Sequence, residues 1–176
     1  MIYARLPVVA AALSMFPMIA MALEQDDLDA ARAKISSIEA AKSYLEVDAN
    51  RRPEVPDGFS FNYAQCPDES AGCYYSQATL AIELPFAYKG NYQAQRNVSF
   101  CLWDGCQNAV VPTKTLGCAW RIVILASGST KVDDTDLMNF RFCAGELDPT
   151  EFSVTKAQAA RLFQTIYGRP LAPEWH

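Results

Sequence analysis

The chain has 176 residues, 51% of them hydrophobic and 20% charged, and its 15 Lys and Arg against 20 Asp and Glu leave a net charge of −5. That balance lacks the basic stripe of a nucleic-acid surface. The single histidine is the terminal His176, which removes the imidazole base that Ser-His-Asp and Cys-His nucleophiles need.

Residues 1–22 read as an export signal. Arg5 is followed by the uncharged run LPVVAAALSMFPMIAMA, which Pro7 and Pro17 interrupt and which ends in the small-x-small triplet Ala20-Met21-Ala22. About 154 residues remain after cleavage, enough for one domain with its own core, and no later run is apolar for long enough to span a bilayer. All six cysteines, Cys66, Cys73, Cys101, Cys106, Cys118 and Cys143, follow the signal, and an even count in an oxidising compartment reads as disulfides. The expected location is therefore the periplasm or the exterior.

Residues 23–50 carry one amphipathic helix, from Asp26 to about Val47, with Leu28, Ala31, Ile35, Ile38, Ala41 and Leu45 on its apolar face. It packs on its own domain, or alternatively forms a short coiled seam with another chain. Residues 51–74 are a linker and a loop. The prolines and Gly58 mark the linker, Phe59, Phe61 and Tyr63 alternate as a short strand would, and a Cys66–Cys73 bridge would staple the polar segment between them.

Residues 75–168 form the main helical domain, and 169–176 are a tail. Tyr75 to Lys89 has both strand-like and helix-like spacing, with Pro85 expected to kink or delay a helix; helix is the expectation. Asn91 caps a helix to Trp103 with Ala94, Asn97, Val98, Cys101 and Leu102 on one face, and Asp104-Gly105 ends it. Leu116–Ala126 is the contested element, since Ile122 to Leu125 has strand propensity. Cys118 and Cys143 stand equidistant from the loop at Ser129-Thr130, which makes them neighbours if both arms are helices rising at one rate. Cys101 and Cys118 are also equidistant about a loop, so the pairing stays open among fifteen. Asp133 or Asp134 caps the next helix, which carries Leu137, Phe140, Arg141, Ala144 and Leu147. Asp148-Pro149-Thr150-Glu151 then starts a last one, with Phe152, Ala159, Ala160, Phe163, Ile166 and Tyr167 as its apolar face and Gly168 as its stop.

Gly90, Gly128 and Gly168 recur at intervals of 38 and 40 residues, each just past a helical pattern, where a left-handed cap favours glycine. Within that frame Ala87-x-x-Gly90-x-x-x-Ala94-Gln95-x-Asn97-Val98, with Ser99 and the stop at Gly105, resembles the first helix of Sel-one-like repeats, short relatives of tetratricopeptide repeats. Ala119-Trp120-Arg121, with Ala126 and Gly128, resembles the second helix. Lys131 to Gly168 matches by period and by Asn139-Phe140. Val98-Ser99 stands where Leu-Gly is usual, and Ile122–Leu125 replaces Tyr-x-Lys-Ala. The resemblance implies a mainly α fold of antiparallel helix hairpins, stapled by sulfur, whose stacked units leave a concave face. Ala94, Ser99 and Ala119 would let helices approach, and Trp120 and Phe140 would fill gaps between layers.

Little here carries chemistry. No Gly-rich phosphate loop or zinc spacing occurs, no cofactor is expected, and helix capping explains the acidic group Asp133, Asp134 and Asp136 more cheaply than calcium does; Asp104 stands apart. A serine hydrolase with lysine as base is not expected, because Ser127-Gly128-Ser129-Thr130-Lys131 approaches that motif only in composition. The resemblance implies a non-catalytic adaptor or regulator that binds another protein in the periplasm. Two alternatives are a small envelope hydrolase or β-lactam-binding protein, an activity linked to some exported members of that family, and an inhibitor that plugs an enzyme with its Cys101–Cys106 loop. A concave patch from several helices would favour binding. A pocket of convergent ionisable groups would favour an enzyme, and a protruding loop an inhibitor.

Overall fold

A computed structural model of the chain describes residues 25–48, 59–67 and 70–175; the segment expected to be an export signal and the prolines of the expected linker lie outside the described residues. Helix α1 covers residues 25–32 and runs into a 3-10 turn, Ala33–Ile35. There follow α2 (Ile38–Asp48), α3 (Ala71–Tyr88), α4 (Tyr92–Asp104), α5 (Lys114–Ala126), α6 (Asp134–Glu146), α7 (Pro149–Tyr167) and a closing 3-10 turn, Pro173–Trp175. The protein is mainly α, and no strand is formed among the described residues. The alternating Phe59, Phe61 and Tyr63 supply one isolated antiparallel bridge, Tyr63 to Val110, with Val111 N donating to Asn62 O at 2.8 Å and Ala64 N to Ala109 O at 3.0 Å.

Two boundaries differ from expectation. The N-terminal helix is split at Ser36-Ser37, where the Ser37 hydroxyl accepts from Ala40 N at 3.1 Å and restarts the chain as α2. A serine that bonds nearby backbone competes with the helix ladder, and two in succession end it. Leu28, Ile35 and Ala41 are buried as the face predicts, while Ile38 is exposed. Helix α3 begins at Ala71, before Tyr75, and continues through Pro85 to Tyr88.

The core is built around α5. It packs against α4, α6 and α7, while α3 covers α4 and α2 covers α3. Leu116, Ala119, Trp120, Ile122 and Val123 are all buried. Contact on several sides overrides the strand propensity of Ile122–Leu125, a preference worth under about 1 kcal/mol per residue, because burying each aliphatic side chain contributes roughly 1.5–3 kcal/mol. Trp120 is a core residue, meeting the Tyr88 ring edge-on at 5.3 Å. The closest approach is at Gly117. A Cβ there would lie 2.8 Å from Trp103 N and 3.1 Å from Ser99 O, and Ser99 Oγ donates to Gly117 O at 2.9 Å.

The helix ends follow their local chemistry. Asn91 Oδ1 accepts from Ala94 N, and Asp133 and Asp148 each form a capping box, with Asp136 and Glu151 respectively. Gly90, Gly105, Gly128 and Gly168 all have φ between 66° and 89°, the left-handed region. The bridges are Cys66–Cys73, Cys101–Cys106 and Cys118–Cys143. The last joins α5 to α6, as two antiparallel helical arms require.

Candidate functional site: a groove between α4 and α6

Helices α4 and α6 flank α5 and run in the same direction. Their N-terminal ends meet through Tyr92, Arg96 and Asp136, and their C-terminal ends through Trp103 and Phe142, whose rings stand 6.0 Å apart edge-on. Between those closures lies a groove of about 370 Å³, floored by Arg121 and Ile124 of α5 and walled by Gln93, Arg96, Asn97 and Phe100 on one side and Asp136 and Asn139 on the other. At 1.5 Å per residue, the seven steps from Arg96 to Trp103 make it about 10 Å long.

Asp136 organises the closed polar end. Its Oδ1 pairs with Arg96 Nε at 3.2 Å, and its Oδ2 accepts from Tyr92 Oη at 2.7 Å and from Asp133 N at 3.2 Å. Both carboxylate oxygens are thus engaged. Arg96 Nη1 also donates to Tyr92 Oη at 3.1 Å. Burial first, then the bonded Asp136 carboxylate, push the Tyr92 phenol up to about 12. Arg121 is different. It makes no hydrogen bond or ion pair among the described residues, and its Nε is shielded from water with no acceptor. Burial lowers the pKa of this guanidinium; Asp136 opposes that shift and Arg96 adds to it.

Toward the Trp103–Phe142 pair the wall turns apolar, and the side chains there reach solvent, Phe100 52% exposed and Phe142 60%. Met138 of α6, outside the lining, is 67% exposed. Lys114 Nζ lies 5.0 Å from the centre of the Trp103 ring and 3.9 Å from Glu146 Oε2.

Behind the α4 wall lies a buried ionic network. Glu83 on α3 is 1% exposed, and its Oε1 accepts from Arg32 Nε at 2.9 Å, from Arg32 Nη2, and from Asn97 Nδ2 at 2.8 Å. Its Oε2 has no partner among the described residues, and burial raises its pKa against the opposing pull of Asn97 and Arg32. Asn97 Oδ1 also accepts from Gln93 Nε2 at 3.0 Å, so one side chain links the network to the groove wall. A second, smaller cleft of about 240 Å³ opens where Gly90, Gly128 and Tyr167 meet, between Lys89 and Lys131.

Of the residues singled out in the sequence, Asn97, Ser99, Arg121, Asp136 and Asn139 line the groove. Ala94, Ala119 and Trp120 are core, and the four glycines are turns. The six cysteines hold the frame. The Cys101–Cys106 loop is folded against the bundle, with Leu102 and Gly105 buried. A Ser-x-x-Lys spacing, which the sequence reading omits, stands at Ser153-Val154-Thr155-Lys156; Ser153 is exposed on α7, and Lys156 Nζ lies 5.8 Å from the Phe152 ring. The groove residues Arg96 and Phe100 were missed, Arg121 and Asn139 entered only through the repeat resemblance, and Asp136 was assigned only to capping. One signal was available. Arg121 is the lone charge between Trp120 and Ile122 in an otherwise apolar stretch. No family model, curated protein or solved structure matches this chain.

Proposed function

We propose that this is an exported, non-catalytic binding protein that docks another protein in the groove between α4 and α6. The observation that carries the reading is the concave surface itself, drawn from three helices, with the exposed Phe100 on its wall and the exposed Phe142 against Trp103 at its end. Large exposed side chains beside a polar floor are the composition of a protein-contact surface. Three disulfides among the described residues support export to an oxidising compartment. No helix among the described residues is long and apolar enough to cross a membrane.

The resemblance to Sel-one-like repeats belongs to this proposal. The stops at Gly90 and Gly128 fall at the ends of α3 and α5 as such hairpins require, while α7 packs on α5. The ionisable groups of the groove favour binding over catalysis. Asp136, the one carboxylate of the lining, already has both oxygens engaged by Arg96, Tyr92 and Asp133. A plug formed by the Cys101–Cys106 loop has less support, because that loop is packed down.

A photo-crosslinking residue placed singly at Phe100, Asn139 and Phe142 tests this in cells that make the protein. Each should give the same discrete adduct, and the same residue at Gln164, exposed on α7, should give none. Adducts from Gln164 alone, or none from the three groove positions, would remove the reading.

A further inference from the structure

The geometry points to a carboxylate-recognition site inside the groove: Arg121 on the floor, with Asn139 on the α6 wall, receives one carboxylate carried on an apolar or aromatic body, whether a free organic acid or the end of a peptide chain. This rests on the groove being the binding face, and it adds the chemistry of what enters.

The groove lining holds two guanidiniums, Arg96 and Arg121, against one carboxylate, Asp136, an excess of one positive charge. Asp136 and Arg96 already satisfy each other. The excess therefore resides on Arg121, partly buried and lacking any acceptor among the described residues. A cation drawn out of water without an acceptor is costly, and an incoming acceptor removes that cost. Asn139 on the opposite wall also makes no hydrogen bond among the described residues, so its amide is available to the same ligand.

The charge count selects the ligand class. A monoanion neutralises the excess, whereas a dianionic phosphate would bring a second charge toward Asp136. Carboxylate also matches the planar donor edge of guanidinium, which holds two oxygens at once. The rest of the groove selects the body of the ligand. From Arg121 the floor continues to Ile124 and the wall to Phe100, toward the Trp103–Phe142 pair that closes the end. A ring attached one or two carbons from the carboxylate would lie on those side chains, within a length of about 10 Å. The volume, about 370 Å³, is at the lower end of the range for small-ligand sites.

The test uses the whole folded protein, oxidised, with N-acetyl-phenylalanine and its amide, N-acetyl-phenylalaninamide, as probes that differ only in the charged group. Titrations followed by amide and arginine Nε–H resonances should show the acid binding at least about tenfold tighter than the amide, one charge-assisted contact in size. Its shifts should centre on Arg121, Asn139 and Phe100. A peptide ending in a free Phe carboxylate, set beside its amidated form, tells the two sources apart. Tighter binding of the peptide acid than of the free acid assigns the site to a chain end, and the reverse assigns it to a small acid. Arg121→Met should abolish the preference for acid over amide and raise the melting temperature by ~3 °C, since an unpaired charge is removed. Arg121→Lys, which keeps the charge and loses the planar fork, should retain part of the preference and guards against a misfolded Met variant. Equal binding of acid and amide, no saturable shift with either, tighter binding of inorganic phosphate, or an undiminished preference in Arg121→Met would each overturn the site. Adducts from the crosslinking positions would still stand in those cases, so the failure of this site and the failure of the groove as a docking face are separable.

Discussion

Glu83 and Arg121 are two charges removed from water in different ways. Glu83 is compensated on one oxygen only, by Arg32 and Asn97, and its other oxygen is sealed away unpaired. Burial dominates, so its pKa is raised in the folded protein. The linkage sign follows. Between the unfolded value near 4.5 and the raised folded value, the native state binds more protons than the unfolded chain, so stability falls as pH rises through that window. Glu83→Gln keeps the acceptor for Asn97 and Arg32 without the charge. It should flatten the decline measured by urea unfolding at a series of pH values from about 4.5 to 7. A variant whose profile declines as steeply as the wild type would show that the buried carboxyl does not control this part of the curve.

Between elements, the decisive contact is the crossing of α4 and α5 at Gly117. There is no room for a methyl group against Trp103 N and Ser99 O, which are backbone atoms and cannot rotate away. Gly117→Ala should cost about 2–3 kcal/mol in chemical denaturation through forced backbone displacement, although alanine by itself favours a helix by about 1 kcal/mol. A neutral or stabilising result would mean that the two helices separate freely. This contact also shows which parts of the fold were legible in the sequence. Asn91, Asp133, Asp148 and the glycine stops act within a few residues of themselves, so helix ends could be read directly. The equal spacing of Cys118 and Cys143 about one loop conveyed an antiparallel pair for the same reason. By contrast, Arg96, Arg121 and Asp136 come from three helices, and nothing local marks them as neighbours. Asp136 could be recognised as the capping residue it is, while its second role toward Tyr92 and Arg96 depends on how α4 and α6 lie across α5. The break at Ser36-Ser37 was hidden because the apolar spacing continues through it.

In the whole molecule, the groove depends on its least anchored wall. Helix α6 packs chiefly on α5 and buries only Asp136 and Cys143, leaving Met138 and Phe142 in solvent. Few apolar contacts therefore hold it, and the Cys118–Cys143 bridge replaces what burial does not supply. This bridge spans 25 residues, against 7 for Cys66–Cys73 and 5 for Cys101–Cys106, so it restricts the unfolded chain most. The paired change Cys118→Ser and Cys143→Ser should cost about 3 kcal/mol, roughly 1 kcal/mol more than removing either short bridge. The loss should also be local before it is global. Hydrogen exchange should accelerate across α6 while α4, α5 and α7 stay protected, since opening begins where buried contacts are fewest. A docking face with one wall held by sulfur should then fail together with that wall: in the same variant, adducts from Asn139 and Phe142 should disappear while Trp120 remains buried in the core. Protection of α6 equal to that of α5 after removal of the bridge would show that packing alone holds the groove in shape.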